Sequence, residues 1–173
     1  GKDDPLWAIL TQPDKKGGKW SPGEFFETGR RDIHYLLLHL DSLGVQLNFG
    51  KALDFGCGVG RLTQALAERF QEVHGVDIAP SMIETAKKFN KHPDKCSFHL
   101  NLADDLRLFD DNTFDFVITL ITLQHIPKQY ALNYIAEFVR VIKPGGMVIF
   151  QVPDSLRNSR QPTPQILPPI KAG

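Results

Sequence analysis

The sequence predicts an α/β fold: a mostly parallel sheet of about five strands between two layers of helices. Three observations carry this. Short apolar runs alternate with longer stretches of helical periodicity. The links between them are mostly too short for anything but a direct return, so parallel strands joined by helical crossovers are expected. The first apolar run leads straight into "GCGVG", Gly56 to Gly60, where three glycines fall within five residues.

Residues 1–21 are polar and turn-rich, with an apolar knot at Leu6, Trp7, Ile9 and Leu10. Ser21 is placed to cap a helix that Pro22 opens. Phe25, Phe26, Ile33, Leu36, Leu37, Leu40 and Leu43 recur at helical spacing, and Gly44 stops it. "KALDF" then reads as a buried strand, followed by the glycine loop and a helix carrying Leu62, Ala65, Leu66 and Phe70. "EVHGVD" is a second strand, and Pro80 with Ser81 opens the helix "SMIETAKKFNK". "CSFHLNL" and "NTFDFVITL" are a third and a fourth strand, joined by "ADDLRLFDDN", which has room for a turn or a short helix. Pro127 opens a helix with Ala131, Tyr134, Ile135, Phe138, Val139 and Ile142 on one face. "KPGG" ends it, and "MVIFQV" is the fifth strand. Beyond Val152, five of the twelve prolines fall in a stretch without periodicity, read as a tail. The boundaries are therefore 1–45 for an N-terminal extension with a lid-like helix, 46–153 for a ligand-binding domain, and 154–173 for the proline-rich tail.

The chain has 173 residues, with Lys plus Arg equal to Asp plus Glu. That suits one domain with a real core. The balanced charge gives no global field toward nucleic acid or an anionic membrane. No apolar run reaches transmembrane length, and no leader is visible. The two cysteines, Cys57 and Cys96, share no metal-ligand spacing with the histidines, so no metal site is expected and a reduced, cytoplasmic setting is.

In an open parallel sheet, ligands bind beyond the carboxyl ends of the strands. The strand ends carry Asp54 through Gly60, then Asp77, Leu102 to Asp104, and Thr119 to Leu120. The glycines are G-x-G-x-G, not the dinucleotide fingerprint G-x-G-x-x-G, and Arg61 stands where that fingerprint wants its third glycine. A tight turn alone would use glycine for positive φ. Three in five residues exceed one turn's needs and favour close ligand approach. Asp54 just before the loop would repel a pyrophosphate but can hold a cation. Asp77, ending the second strand, can accept both hydroxyls of a ribose, or else cap the helix ahead of Pro80.

Together these segments resemble class I S-adenosylmethionine-dependent methyltransferases of the small-molecule, Rossmann-like type. "LDFGCGVGRLT", "VDIAPSMIETAKK", "LADDLRLFDDNTFDFVIT", "TLQHIP" and "RVIKPGGMVIFQVPD" follow in order over about residues 50–153. The resemblance implies S-adenosylmethionine as cofactor, S-adenosylhomocysteine as product, and a small-molecule acceptor. It implies that Gly56, Cys57 and Gly58 face the methionine part and that Asp54 helps hold its ammonium. Asp77 would take the ribose hydroxyls, and Ile78 and Met82 would pack on the adenine. Ala103 and Asp104 would meet the adenine edge, and Leu120 would close the other side. The family often carries an acidic residue where Leu102 stands; Asp104, Asp105 or backbone would serve instead. His125 is the candidate base wherever the acceptor must lose a proton, against the plainer reading of a histidine that bonds backbone at a helix start. Arg30 or Arg31 could pair with the cofactor carboxylate if "FFETGRRD" crossed the site, against the plainer reading of a solvated basic turn. The family continues past the fifth strand, so the sheet here lacks its usual last strands, and a homodimer through that exposed edge is one way to cover it. Two other functions compete: a non-catalytic cofactor-binding module or domain of a larger enzyme, and a nicotinamide-dependent oxidoreductase.

Overall fold

The computed structural model describes residues 4–152. Alternation of short β-rich runs with amphipathic segments gives β1 (Lys51–Phe55), β2 (Glu72–Asp77), β3 (Cys96–Leu100), β4 (Phe114–Thr119) and β5 (Ile142–Phe150). The helices are α1 (Pro5–Ile9), α2 (Pro22–Ser42), α3 (Arg61–Ala67), α4 (Pro80–Phe89) and α5 (Lys128–Val141). All five strands pair in parallel in the order β3-β2-β1-β4-β5. The order reverses at β1, so the crevice beyond β1 and β4 is the switch point where such sheets bind ligands.

Each sheet face has its own core. Ile33, Leu40, Leu62, Leu66, Phe70, Ile83 and Phe116 bury the face covered by α2, α3 and α4. Leu53, Val76, Leu106, Phe114, Val117, Tyr134 and Phe138 bury the face covered by α5. β4 is buried along its whole length and serves both cores, with Phe116 and Ile118 in the first and Phe114 and Val117 in the second, which is why it reads as a mostly apolar run. A third cluster joins Leu6, Trp20, Phe25 and Phe26 to Val59 of the glycine loop, so the N-terminal segment is packed onto that loop.

The α2 start follows its sequence signals. Ser21 Oγ accepts from the Glu24 amide while the Glu24 side chain returns to the Ser21 amide, with Pro22 at the first helical position. Gly44 takes a left-handed φ of 72° after the helix, as expected of a terminator. Leu43 is exposed, because it is the C-cap residue beyond Ser42, where the backbone leaves the helix, while Leu40 of the last turn stays buried.

Two local expectations are corrected, the end of β3 and the role of "KPGG", and one open alternative, turn or short helix in "ADDLRLFDDN", is decided. β3 ends at Leu100, two residues early, because the Asn101 amide donates to the Asp77 carbonyl and its side chain to the Asp105 carbonyl, which turns the chain. "ADDLRLFDDN" forms turns without a helix; buried Leu106 and Phe109 pin it to the core. "KPGG" does not end α5. The helix stops at Val141, and β5 already begins at Ile142. Phe114 pairs with Ile142 and Phe116 with Met147, so Lys143–Gly146 bulges out of register, with Gly145 at φ 79°.

Beneath the sheet lies a polar cluster. His74 Nδ1 and His99 Nε2 are 2.9 Å apart with rings stacked, and His74 Nε2 lies 2.7 Å from Glu72 Oε1. Phe109 and Phe114 meet the His74 ring edge-on. Burial pushes both imidazoles below their ordinary 6.5, against the opposing pull of Glu72 on His74. The unfolded chain then binds more protons than the folded one just below 6.5, so this contribution to stability is present above that pH and is lost as pH falls. The thermal midpoint is expected to drop between pH 7 and pH 5, roughly across the histidine range. The double variant His74→Phe/His99→Phe should show a smaller drop; an identical drop would assign the effect to other groups.

Candidate functional site

The glycine loop is built by β2. The Gly56 and Cys57 amides both donate to the Val76 carbonyl, at 2.8 and 3.0 Å. The Gly58 amide donates to Asp77 Oδ2 at 2.8 Å, and the Gly60 amide to the Cys57 carbonyl at 2.9 Å. The three glycines have φ of 75°, 54° and 83°, which only glycine adopts without strain. Close approach forbids side chains as well. A Cβ on Gly56 would overlap Thr122, one on Gly58 would meet Ile9 Cδ1 at 2.7 Å, and one on Gly60 would meet the Phe98 ring at 2.8 Å.

Asp77 does more than cap. Its Oδ1 accepts from the Ala79 amide at 2.8 Å while Oδ2 holds Gly58. The α4 cap position is Ala79, without a side-chain bond. Asp54 is buried with Oδ2 accepting from the Thr63 hydroxyl at 2.7 Å. Burial pushes its carboxyl up to about 6, against Thr63 and Arg61, which pull it down. Cys57 is a buried thiol, driven upward chiefly by burial and therefore protonated and inert as a nucleophile.

A cavity of about 830 Å³ opens at the strand ends, within the size range of small-ligand sites. Asp54, Gly56, Cys57, Gly58, Asp77, Ile78, Met82, Ala103, Asp104, Leu120 and His125, all singled out from sequence, line it, whereas Asp105 does not. Ile78 and Leu102 are 67% and 71% exposed, an unusual state for apolar side chains facing one cavity. His125 ends a 3₁₀ turn, Leu123–His125, on the rim; its amide donates to the Thr122 carbonyl. Among the described residues, no group of three or more His, Cys, Asp or Glu is placed to hold a metal ion. None of their helices is long and apolar enough to cross a membrane.

Arg30 and Arg31 are not brought to the cavity. Arg30 pairs with Glu27 and Glu68 because α2 packs on α3 rather than across the strand ends. Ala8 and Ile9 of α1 line the cavity instead. Arg61, which reads in the sequence only as a misfit to the dinucleotide fingerprint, is a buried lining residue. Its guanidinium bonds Asp32 and Thr28 of α2, and Gly29 makes room for the Arg61 carbonyl. Tyr134 reads in the sequence only as part of an apolar face. Its hydroxyl donates to the Ala103 carbonyl at 2.8 Å and fixes the loop at the cavity edge. A tyrosine on a buried stripe signals such a bond, since its hydroxyl needs a partner. Thr63 and Ile121 carry no comparable signal.

A family model described as a methyltransferase domain matches residues 52–146. The chain is 38% identical over 103 residues to a demethylmenaquinone methyltransferase of Staphylococcus haemolyticus, covering 57% of this chain and 41% of that one. It is 35% identical over 123 residues to phosphoethanolamine N-methyltransferase 3 of Arabidopsis thaliana, covering 70% and 24% respectively. The chain thus spans less than half the length of these relatives. A solved S-adenosylmethionine-dependent methyltransferase of Clostridium acetobutylicum superposes with a TM-score of 0.61 over 84% of this chain and 54% of that one. At 20% identity that likeness speaks for the fold alone.

Proposed function

Because the chain belongs to the methyltransferase-domain family, we propose that it binds S-adenosylmethionine in the cavity at the strand ends and transfers its methyl group to a small-molecule acceptor. One observation carries the choice of ligand. The amides of Gly56, Cys57, Gly58 and Gly60 are all committed inside the protein, and the two carboxylates beside them, Asp54 and Asp77, can only accept while ionised. A site of this kind suits a cation bearing hydroxyl donors. It does not suit a pyrophosphate, which needs free amides at the loop.

The residues fit the cofactor part by part. Asp54 offers a carboxylate to the ammonium of the methionine moiety, next to Gly56, Cys57 and Gly58. Asp77 uses one lone pair per oxygen on Gly58 and Ala79, which leaves the others for the ribose hydroxyls. Ile78, Met82 and Leu102 supply apolar surface for the adenine, with Ala103 and Asp104 at its edge and Leu120 on the opposite wall. The relatives are named for demethylmenaquinone and phosphoethanolamine, two small molecules of unlike chemistry, so the acceptor atom is not fixed by the family.

The cofactor supplies an already activated methyl group on a sulfonium. The protein's task is to align the acceptor, and positioning of this kind can lower a barrier by roughly 7–11 kcal/mol. Ile121, Thr122, Ile126 and Tyr130 line the same cavity beyond the cofactor residues and would hold the acceptor. His125 on that rim takes the proton when the acceptor atom carries one. Both cysteines are free and buried, in keeping with a reduced cytoplasmic setting.

Asp77→Ala removes a partner from two amides and from the ribose, and calorimetry with S-adenosylhomocysteine should show at least about tenfold weaker binding. Unchanged affinity would remove Asp77 from the site. A cationic ammonium binds the ionised form of Asp54, whose carboxyl lies at about 6, so affinity should weaken as pH is lowered from 7 through that value. Asp54→Asn should flatten this profile; a wild-type profile without any bend there would contradict the pairing. His125→Ala should depress turnover by on the order of 10²-fold or more with little change in S-adenosylhomocysteine affinity. Equal turnover would leave His125 a structural role.

A further inference from the structure

β4 ends at Thr119, and two residues later Ile121 has φ 65°. Among the described residues only Asn112 shares a positive φ without being glycine, and asparagine tolerates it. A β-branched residue there is a genuine outlier, of the kind that persists only where surrounding structure imposes it. The side chain that meets this turn is Gln151, just past β5. Its side-chain Oε1 accepts from the Ile121 amide at 3.3 Å, and its backbone N–H donates to the Thr119 carbonyl at 3.2 Å, extending the β4–β5 ladder by one bond. Gln151 thus clasps the turn from both sides while standing outside the cavity lining.

The turn has a consequence at the site. Reversal at Ile121 brings Thr122 back over β1, with its side chain in the space that a Cβ on Gly56 would occupy and its hydroxyl on the Leu120 carbonyl at 3.2 Å. Leu120, Ile121 and Thr122 form the β4 wall of the cavity, across the glycine loop from Asp77. An extended Ile121 would carry Thr122 away from Gly56 and open that wall.

We propose that Gln151 is a positioning residue: by holding Ile121 left-handed it seats Thr122 against Gly56 and fixes the β4 wall of the cofactor cavity. This rests on the reading of the cavity as an S-adenosylmethionine site. If Gln151 acts through Ile121, a residue that takes the left-handed conformation freely makes it dispensable, and glycine is that residue.

The test is a double-mutant cycle read by S-adenosylhomocysteine calorimetry and by thermal midpoint. Gln151→Ala should weaken binding roughly three- to tenfold and lower the midpoint. Gln151→Glu, which keeps the accepting oxygen, should retain both. In an Ile121→Gly background, Gln151→Ala should change affinity less than about twofold and leave the midpoint in place. No loss in the wild-type background, or the same loss in both backgrounds, overturns the proposal. Should the wild-type chain bind no S-adenosylhomocysteine, the cofactor reading fails by itself. The midpoints then decide on Gln151 alone, and a loss that persists beside Ile121→Gly refutes its role.

Discussion

The Asp77 carboxylate, at the end of β2, binds two backbone amides at once: Gly58 across the crevice and Ala79 in its own turn. With the Val76 carbonyl it holds three consecutive amides of the glycine loop to the neighbouring strand. The rest of the site depends on this constraint. It sets the path of the loop and occupies the amides of Gly56, Cys57 and Gly58. It also leaves carboxylate lone pairs facing the cavity. An unmade partner for a buried amide costs about 1–3 kcal/mol, so the arrangement is costly to break. It needs β1 and β2 adjacent and in register, with Asp54 opposite Gly75 and Phe55 opposite Val76, and the parallel sheet provides that.

Around this centre the helices act as supports. α3 follows the loop directly, and its first residue, Arg61, is buried against Asp32 and Thr28 of α2. A buried guanidinium left unpaired would be strongly unfavourable, so α2 and the loop are coupled through it. Val59 and Ile9 tie the N-terminal segment to the same loop. On the other side Tyr134 of α5 fixes the Ala103 carbonyl, and Thr122 fills the space beside Gly56. The walls of the cavity thus come from four strand ends, braced by residues of α1, α3, α5 and the turn after β4 that themselves reach the lining.

Much of this was legible in the sequence because the signals are local. The Ser21 cap, the glycine triplet, Pro80 and the mostly apolar run of β4 each state their own conformation, and Asp54, Gly56 to Gly58, Asp77, Leu102 to Asp104 and Leu120 at the strand ends line one cavity. What escaped depends on pairings distant in the chain. Arg61 with Asp32 joins residues 29 apart, and Ile121 with Gln151 joins residues 30 apart. Isoleucine at 121 gives no hint of a left-handed turn, since its β-branch argues against one. "KPGG" misled for a related reason: Gly145 has the φ of a helix terminator, yet sheet pairing from Ile142 overrides it and turns the segment into a bulge.

The central claim is that this loop and its carboxylates accept a nucleoside ligand bearing an ammonium group and reject a pyrophosphate. Calorimetric titration of the chain with S-adenosylhomocysteine, with NADH run in parallel, tests it most directly. One-site binding of the first and no heat from the second is the predicted result. Binding of NADH, or silence for S-adenosylhomocysteine beside it, would contradict the account.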